Sequence, residues 1–221
     1  VVVDVRRFDE YQTMSIPTGI SVPGAELVLR LPELAPNPKT KIIVNCAGRT
    51  RSIIGTQSLI NAGIPNEVNA LRNGTIGWTL AGQELDKGQT RKFKDVSEDT
   101  TSEAAQRARS VADRAGVKRA TLADVSKWKS QSERTTYFFD TRTPEEYDAG
   151  HLPGFRSVPG GQLVQETEMV APVRGARIVL VDPSGGSVRA NMPASWLAQM
   201  AWDVYVLDDI KSTIVVLKEA K

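Results

Sequence analysis

The sequence has few of the residues from which proteins build metal sites and disulfide frameworks. Its 221 residues include one cysteine and one histidine. One thiol and one imidazole fall short of the ligand set of a structural zinc site, and a single cysteine cannot form an internal disulfide. We therefore expect no metal and no other cofactor, and the cysteine usage favours a reducing compartment such as the cytoplasm.

The sequence also lacks a strong charge imbalance and a long apolar run. Lysine and arginine number 28 against 26 aspartates and glutamates, which leaves a net charge of +2. Nucleic-acid binding depends on neutralising phosphates, and this balance gives no sign of it. No apolar run approaches the roughly 18 residues that cross a bilayer, and no secretory signal is recognisable. We expect a globular protein whose partners include neither nucleic acid nor a membrane.

The single cysteine stands in a setting that favours reactivity. Cys46 follows a strand-like run over residues 41–45 and opens a short loop that leads into a helix-like run from Ser52. A thiol at a strand-to-helix turn meets backbone N–H groups and the positive end of the helix, and both favour the thiolate. A lone cysteine is more often a small buried hydrophobe, but Arg49 and Arg51 in the same loop are costly to bury beside a core thiol. The pattern predicts a reactive sulfur that meets an anionic substrate.

A second feature is an internal repeat at an offset of 136 residues. Residues 3–11 align with residues 139–147, and the same offset pairs the Val-Pro-Gly of 22–24 with that of 158–160. A register kept without a gap from residue 3 to residue 46 indicates two copies of one domain. Each copy has the size of a single-core domain rather than of a solenoid unit.

The two copies differ at the cysteine. Asp182 stands 136 residues after Cys46, so the second copy has no thiol at this place. Arg189 follows Asp182 by seven residues, whereas Arg51 follows Cys46 by five, so the second loop is two residues longer. A carboxylate cannot carry transferable sulfur, and we expect the second copy to be catalytically silent.

The alternation of strand and helix patterns indicates a parallel α/β sheet in each copy. We predict a first domain over residues 1–85, a linker over 86–120 and a second domain over 121–221. The linker contains an amphipathic helix over 101–115, whose apolar side chains share one face and which ends at Gly116. A helix pattern precedes the Asp-x-Arg strand of the second copy but not that of the first. We therefore expect the first domain to be truncated at its amino end.

Several short motifs, each weak alone, occur together and in order. In the first copy they are Asp4-Val5-Arg6, Glu10-Tyr11, Ile16-Pro17, Val22-Pro23, the Cys46 loop and Asn73-Gly74-Thr75-Ile76-Gly77-Trp78. In the second copy they are Asp140-Thr141-Arg142, Glu145-Glu146-Tyr147 and His151-Leu152-Pro153-Gly154. As a set they resemble the rhodanese (thiosulfate sulfurtransferase) family. The resemblance implies tandem rhodanese-like domains, each a parallel five-stranded sheet flanked by helices, in a piece of a larger protein with more than two such domains.

The resemblance also implies a sulfurtransferase mechanism. The Cys46 thiolate would take the sulfane sulfur of thiosulfate or a similar small anionic donor, hold it as a persulfide, and pass it to cyanide or a thiol. Backbone N–H groups of the loop would cradle the anion, and nearby arginines would attract its charge. The residues implied are Ala47, Gly48, Arg49, Thr50, Arg51, Ser52 and Arg6. We expect Arg51, at the end of the loop, to point at the bound donor.

Other interpretations of the same pattern remain open. Phosphatases of related fold use Cys-x5-Arg, but only four residues separate Cys46 from Arg51, and no aspartate follows as a proton donor. An arsenate reductase needs further thiols that this sequence lacks. The donor also stays open, because Ala47 stands where many thiosulfate-using members carry a basic residue. A non-catalytic module for binding or sulfur sensing is the main alternative, and a thiosulfate:cyanide assay separates it from the enzyme.

Overall fold

The short β-branched runs of the sequence form the strands of two parallel sheets. The computed structural model describes residues 1–184, 186–208 and 210. The chain divides into two units, Val1–Thr101 and Ser102–Lys221, and each has its own sheet. Residues 211–221, the end of the predicted second domain, lie outside the described residues. Within the described part of the chain, no helix combines the length and the apolar character that crossing a membrane requires.

The first unit has a four-stranded parallel sheet with strand order β2-β1-β3-β4. Its strands are β1 (Val2–Asp4), β2 (Ile20–Ser21), β3 (Ile42–Asn45) and β4 (Val68–Ala70). Its helices are α1 (Phe8–Thr13), α2 (Leu27–Leu34), α3 (Thr50–Asn61) and α4 (Gly74–Leu80), with a 3-10 turn at Gly24–Glu26. The described residues therefore give this unit four strands instead of the predicted five.

The second unit has the predicted five-stranded parallel sheet, with strand order β5-β9-β8-β6-β7. Its strands are β5 (Lys118–Ala120), β6 (Thr136–Asp140), β7 (Arg156–Ser157), β8 (Arg177–Val181) and β9 (Asp203–Leu207). The helices are α5 (Glu98–Arg114), α6 (Leu122–Lys129), α7 (Pro144–Ala149), α8 (Gly160–Gln165), α9 (Thr167–Val170) and α10 (Val188–Gln199). Helix α5 begins just ahead of the boundary between the units.

The extra strand explains why the two sheets differ. Strand β5 pairs with β9 at the sheet edge, and α6 follows it before the chain enters β6, the Asp-x-Arg strand. The Asp-x-Arg strand of the first unit is β1, and no strand or helix precedes it among the described residues. The described residues hold no counterpart of β5, and β4 is therefore an edge strand.

The second sheet is covered on both faces, as its central strand shows. Strand β8 is buried along its whole length. Ile178 packs in one core with Leu197 of α10, whereas Val179 packs in another core with Val125 of α6. A strand with helices on both sides has no face toward solvent, which is why residues 178–181 of β8 are apolar in succession rather than in alternation.

The segment predicted as a linker is divided between the units. Ser15 and Asp86 exchange two backbone hydrogen bonds of 2.8 and 2.9 Å, and the Arg30 guanidinium lies 4.6 Å from the centre of the Phe93 ring. The stretch from 86 to 97 therefore lies along the first unit. The amphipathic helix is observed as α5, and Ala112 on its apolar face packs in the core that contains Ile178 and Leu197.

The parallel sheets bring equivalent residues together at their carboxyl ends. Asp4 at the end of β1 pairs with Asn45 at the end of β3, directly before Cys46. Asp140 at the end of β6 pairs with Val181 at the end of β8, directly before Asp182. Ligands of open α/β sheets bind at this edge, so the fold places the predicted loop where a ligand site is expected.

Candidate active site

The thiol lies at the base of the loop between β3 and α3. The Cys46 side chain is buried, with 2% of its surface exposed. Its Sγ lies 3.4 Å from the Ser52 Oγ, which in turn donates a hydrogen bond of 2.9 Å to the carbonyl oxygen of Arg49. Because Ser52 belongs to the first turn of α3, its hydroxyl links the sulfur to the start of that helix.

The amino end of α4 holds the loop from outside. The backbone N–H of Thr75 donates to the carbonyl oxygen of Cys46 at 3.0 Å, and the N–H of Ile76 donates to that of Ala47 at 3.1 Å. Gly74 makes this approach possible, because a Cβ built there would lie 2.0 Å from the Cys46 carbonyl oxygen, and its φ is +55°. Only glycine fits at such a contact and such a φ.

The N–H groups of the loop remain available. Among the described residues, the backbone N–H groups of Ala47, Gly48 and Arg49 have no hydrogen-bond acceptor. The first N–H groups of α3, from Thr50 onward, have no acceptor within the helix either, since no turn precedes them. Free N–H groups around a thiol form a cradle for an anion, and the positive end of the helix adds to its potential.

Arg6 is paired with structural partners at the strand ends. It is buried, its Nε and Nη2 donate to the Asp4 carboxylate at 2.9 and 2.8 Å, and Nη2 also donates to the carbonyl oxygen of Met14. Asn45 donates to the same carboxylate at 2.9 Å. The second unit repeats the pair as Arg142 and Asp140 although it has no thiol. The geometry favours a role in tying the strand ends together.

Arg51 is paired with a carboxylate on helix α1. Its Nη1 and Nη2 donate to the two carboxylate oxygens of Glu10, at 2.6 and 2.8 Å. These hydrogen bonds are the main reason why the pKa of Glu10 is lowered and the pKa of Arg51 is raised. The guanidinium is thus already paired with a carboxylate. The loop pattern could not predict this, because the partner lies on α1, far away in sequence.

Arg49 is the loop arginine that remains unpaired. It is exposed at the start of α3, and its side chain has no ion-pair or hydrogen-bond partner among the described residues. Thr50 beside it is also exposed, and Ala47 and Gly48 are partly exposed. A cation at the mouth of an N–H cradle attracts anions. The site therefore combines a buried thiol, free N–H groups and one available guanidinium.

The loop of the second unit contains its own anion. Asp182 occupies the position of the cysteine and is buried. Its carboxylate accepts hydrogen bonds from the backbone N–H of Arg189 at 2.9 Å and from the hydroxyl of Ser184 at 2.6 Å. The Arg189 guanidinium lies between Asp182 and Glu146. The same place that holds a thiol in the first unit is filled by a carboxylate in the second.

A repeated parallel α/β sheet with a loop of this kind at its carboxyl edge defines a class of protein. Residues 1–81 and 121–209 both match the model of the rhodanese-like domain. The chain belongs to the rhodanese-like domain family, and both matched segments contain the predicted motifs.

Two known proteins show how this chain relates to others. A crystal structure of a thiosulfate sulfurtransferase from Pseudomonas aeruginosa is 71% identical, with a TM-score of 0.92, over 96% of this chain and 41% of its own. The HTH-type transcriptional regulator Rv0324 of Mycobacterium tuberculosis is 37% identical over 86 residues, which are 39% of this chain and 37% of the regulator. The chain spans less than half the length of either protein.

Sequence reasoning missed two residues that shape the site. In the sequence, Glu10 and Gly74 stand out only as members of short motifs. The signal for Glu10 was its recurrence as Glu146 at the offset of 136 residues. Their contacts with the loop depend on how α1 and α4 pack, which local patterns do not reveal.

Proposed function

We propose that the first unit is a sulfurtransferase that moves sulfane sulfur from thiosulfate or a similar donor to a thiophilic acceptor. The observation that carries this proposal is a buried Cys46 thiol beneath N–H groups that have no acceptor among the residues the structure describes, with Arg49, likewise unpaired among them, at their side. Family membership and the similarity to a thiosulfate sulfurtransferase support it.

In the first half-reaction the Cys46 thiolate attacks the outer sulfur of thiosulfate. The sulfur–sulfur bond of the donor breaks, sulfite leaves with the bonding electron pair, and Cys46 is left as a persulfide. The oxygens of the donor are negatively charged, and the N–H groups of residues 47–49 and the Arg49 guanidinium are the groups that would bind them. No external proton donor is required, since sulfite is released as an anion.

In the second half-reaction the acceptor attacks the terminal sulfur of the persulfide. With cyanide, a carbon–sulfur bond forms, thiocyanate leaves, and the electron pair returns to Cys46 as a thiolate. The Ser52 hydroxyl, 3.4 Å from Sγ, can turn from the Arg49 carbonyl to the sulfur and donate a hydrogen bond to it whenever the sulfur is anionic. A reducing compartment such as the cytoplasm would keep this single thiol available.

A thiosulfate:cyanide assay with the parent chain and Cys46→Ser tests the proposal. We expect thiocyanate from the parent and none from the variant, while the variant keeps the parent's circular dichroism spectrum. Intact-mass analysis after thiosulfate treatment should add one sulfur atom to the parent only. Substantial turnover by Cys46→Ser would overturn the mechanism.

The relative among the transcriptional regulators supports a second candidate, a sulfur-sensing module. Such a module would load Cys46 with sulfur but would not pass it on at a useful rate. Sulfur addition in the mass spectrum, without thiocyanate formation and without transfer to a dithiol acceptor, would favour sensing over catalysis.

A further inference from the structure

The same ion pair joins the same two helices in both units. Glu10 is the third residue of α1 and Arg51 the second residue of α3, while Glu146 is the third residue of α7 and Arg189 the second residue of α10. Both arginines bind both carboxylate oxygens of their partners. The arginine keeps its place on the helix although the second loop is two residues longer. The pair is therefore independent of loop length and of the thiol.

The second unit shows what this arginine does when an anion stands at the cysteine position. Besides Glu146, Arg189 contacts Asp182 through its Nε at 3.3 Å and its Nη2 at 3.2 Å. One guanidinium thus bridges the carboxylate on α7 and the anion in the loop. Because Arg51 has the same partner on α1 and the same place on α3, it can bridge Glu10 and an anionic sulfur in the same way.

A cation in the first turn of a helix needs such a partner. The amino end of α3 carries partial positive charge, which opposes a guanidinium there, and no acidic residue lies in this turn. Glu10 on α1 supplies the missing negative charge. The pKa of Arg51 is raised chiefly by the hydrogen bonds that its guanidinium donates to Glu10. Burial opposes this rise, and the charges of Glu10, Cys46 and Asp4 add to it. Cys46 is thus one of the groups whose charge favours the protonated form of Arg51.

We propose that Arg51 is the counter-ion of the sulfur anion on Cys46, and that Glu10 is a positioning residue that holds Arg51 in this place. Donor binding then falls to Arg49 and the N–H groups. The other charged groups at the carboxyl edge, Asp4 and Arg6, are paired with each other. The counter-ion role toward the thiolate does not require the proposed sulfur transfer. The same role toward the persulfide rests on that proposed function.

The direct test is the pH dependence of Cys46 alkylation by iodoacetamide, in which the thiolate displaces iodide. Since Cys46 is the sole cysteine, no other thiol contributes. Arg51→Met should move the midpoint upward by about one pH unit or more, and Arg51→Lys should move it less. Glu10→Gln keeps a hydrogen-bond acceptor for Arg51 but removes the negative charge that offsets the guanidinium. The midpoint of Cys46 alkylation in this variant should therefore fall.

The matched control is Glu146→Gln, which makes the same change in the unit without the thiol and should leave the midpoint where it is. Unchanged midpoints in both Arg51→Met and Glu10→Gln would overturn the proposal and leave the pair as a structural tie. Arg51→Lys and Glu10→Gln keep the test decisive if Arg51→Met does not fold. None of these results depends on sulfur transfer.

Steady-state kinetics distinguish a counter-ion from a donor-binding residue. For Arg51→Met, the profile of kcat/KM for thiosulfate should move to higher pH, with the plateau recovering to within about threefold of the parent once the thiol is ionised. A plateau lowered more than tenfold, with the alkylation midpoint unchanged, would instead assign Arg51 to the donor and refute the counter-ion role.

Discussion

Replacing Gly74 by alanine tests how the loop is held. The added Cβ would lie 2.0 Å from the Cys46 carbonyl oxygen and 2.8 Å from the carbonyl carbon and oxygen of Ala47. All three contacts are backbone atoms, so no flexible side chain can move aside. To restore the 3.4 Å of ordinary contact, the loop and the start of α4 must separate by more than 1 Å. The backbone hydrogen bonds from Thr75 and Ile76 to the loop would then lengthen or break.

Two costs add in this variant. An L-residue in the left-handed region costs about 1–2 kcal/mol, and overpacking costs about 1–3 kcal/mol. Gly74→Ala should therefore lower the free energy of unfolding of the first unit by roughly 2–5 kcal/mol. A displacement of this size beside the reacting atom should also lower kcat/KM for sulfur transfer by about 100-fold.

Gly82→Ala is the matched control at the other end of α4. Gly82 also has a positive φ, +75°, but a Cβ there meets nothing within 4 Å. Gly82→Ala should therefore lose only the conformational term, about 1–2 kcal/mol, and should keep the parent's rate of sulfur transfer. Urea denaturation and the thiosulfate:cyanide assay measure both effects. If Gly74→Ala were no less stable than Gly82→Ala and equally active, the close approach of α4 to the loop would be wrong.

Three further outcomes are expected. Arg49→Ala should weaken the use of thiosulfate by about 1–3 kcal/mol in kcat/KM, the worth of a charge-assisted hydrogen bond; unchanged donor kinetics would contradict its role. Asp182→Cys in a Cys46→Ser background should restore little activity, because the second loop is longer, and robust sulfur loading of that variant would refute this. The pKa of Glu10 is lowered from 4.5, chiefly by its hydrogen bonds to Arg51, so the pair stabilises the fold above that pH and its contribution is lost as pH falls through the lowered value. Glu10→Gln should flatten the acid limb of a stability–pH profile, and an unchanged limb would argue against the ion pair.

Local patterns in the sequence were enough to predict much of this protein. The short apolar runs at residues 42–44 and 178–181 form largely buried parallel strands, since strands covered on both faces favour successive apolar side chains. The repeat at a constant offset predicted two copies of one α/β unit, and Cys46 and Asp182 stand at equivalent strand ends. These features depend on residues near one another or on a fixed register, which a sequence displays directly.

The tertiary structure alone decided how the charges of the site are shared. Arg49 and Arg51 are the same residue type in one loop, and the sequence does not distinguish their roles. In the structure Glu10 of α1 pairs with Arg51, whereas Arg49 is exposed. The first sheet has four strands among the described residues, because β5 of the second unit has no counterpart there. Pairings between groups some forty residues apart depend on how helices pack across a sheet. That packing is set by the whole core, and no local pattern encodes it.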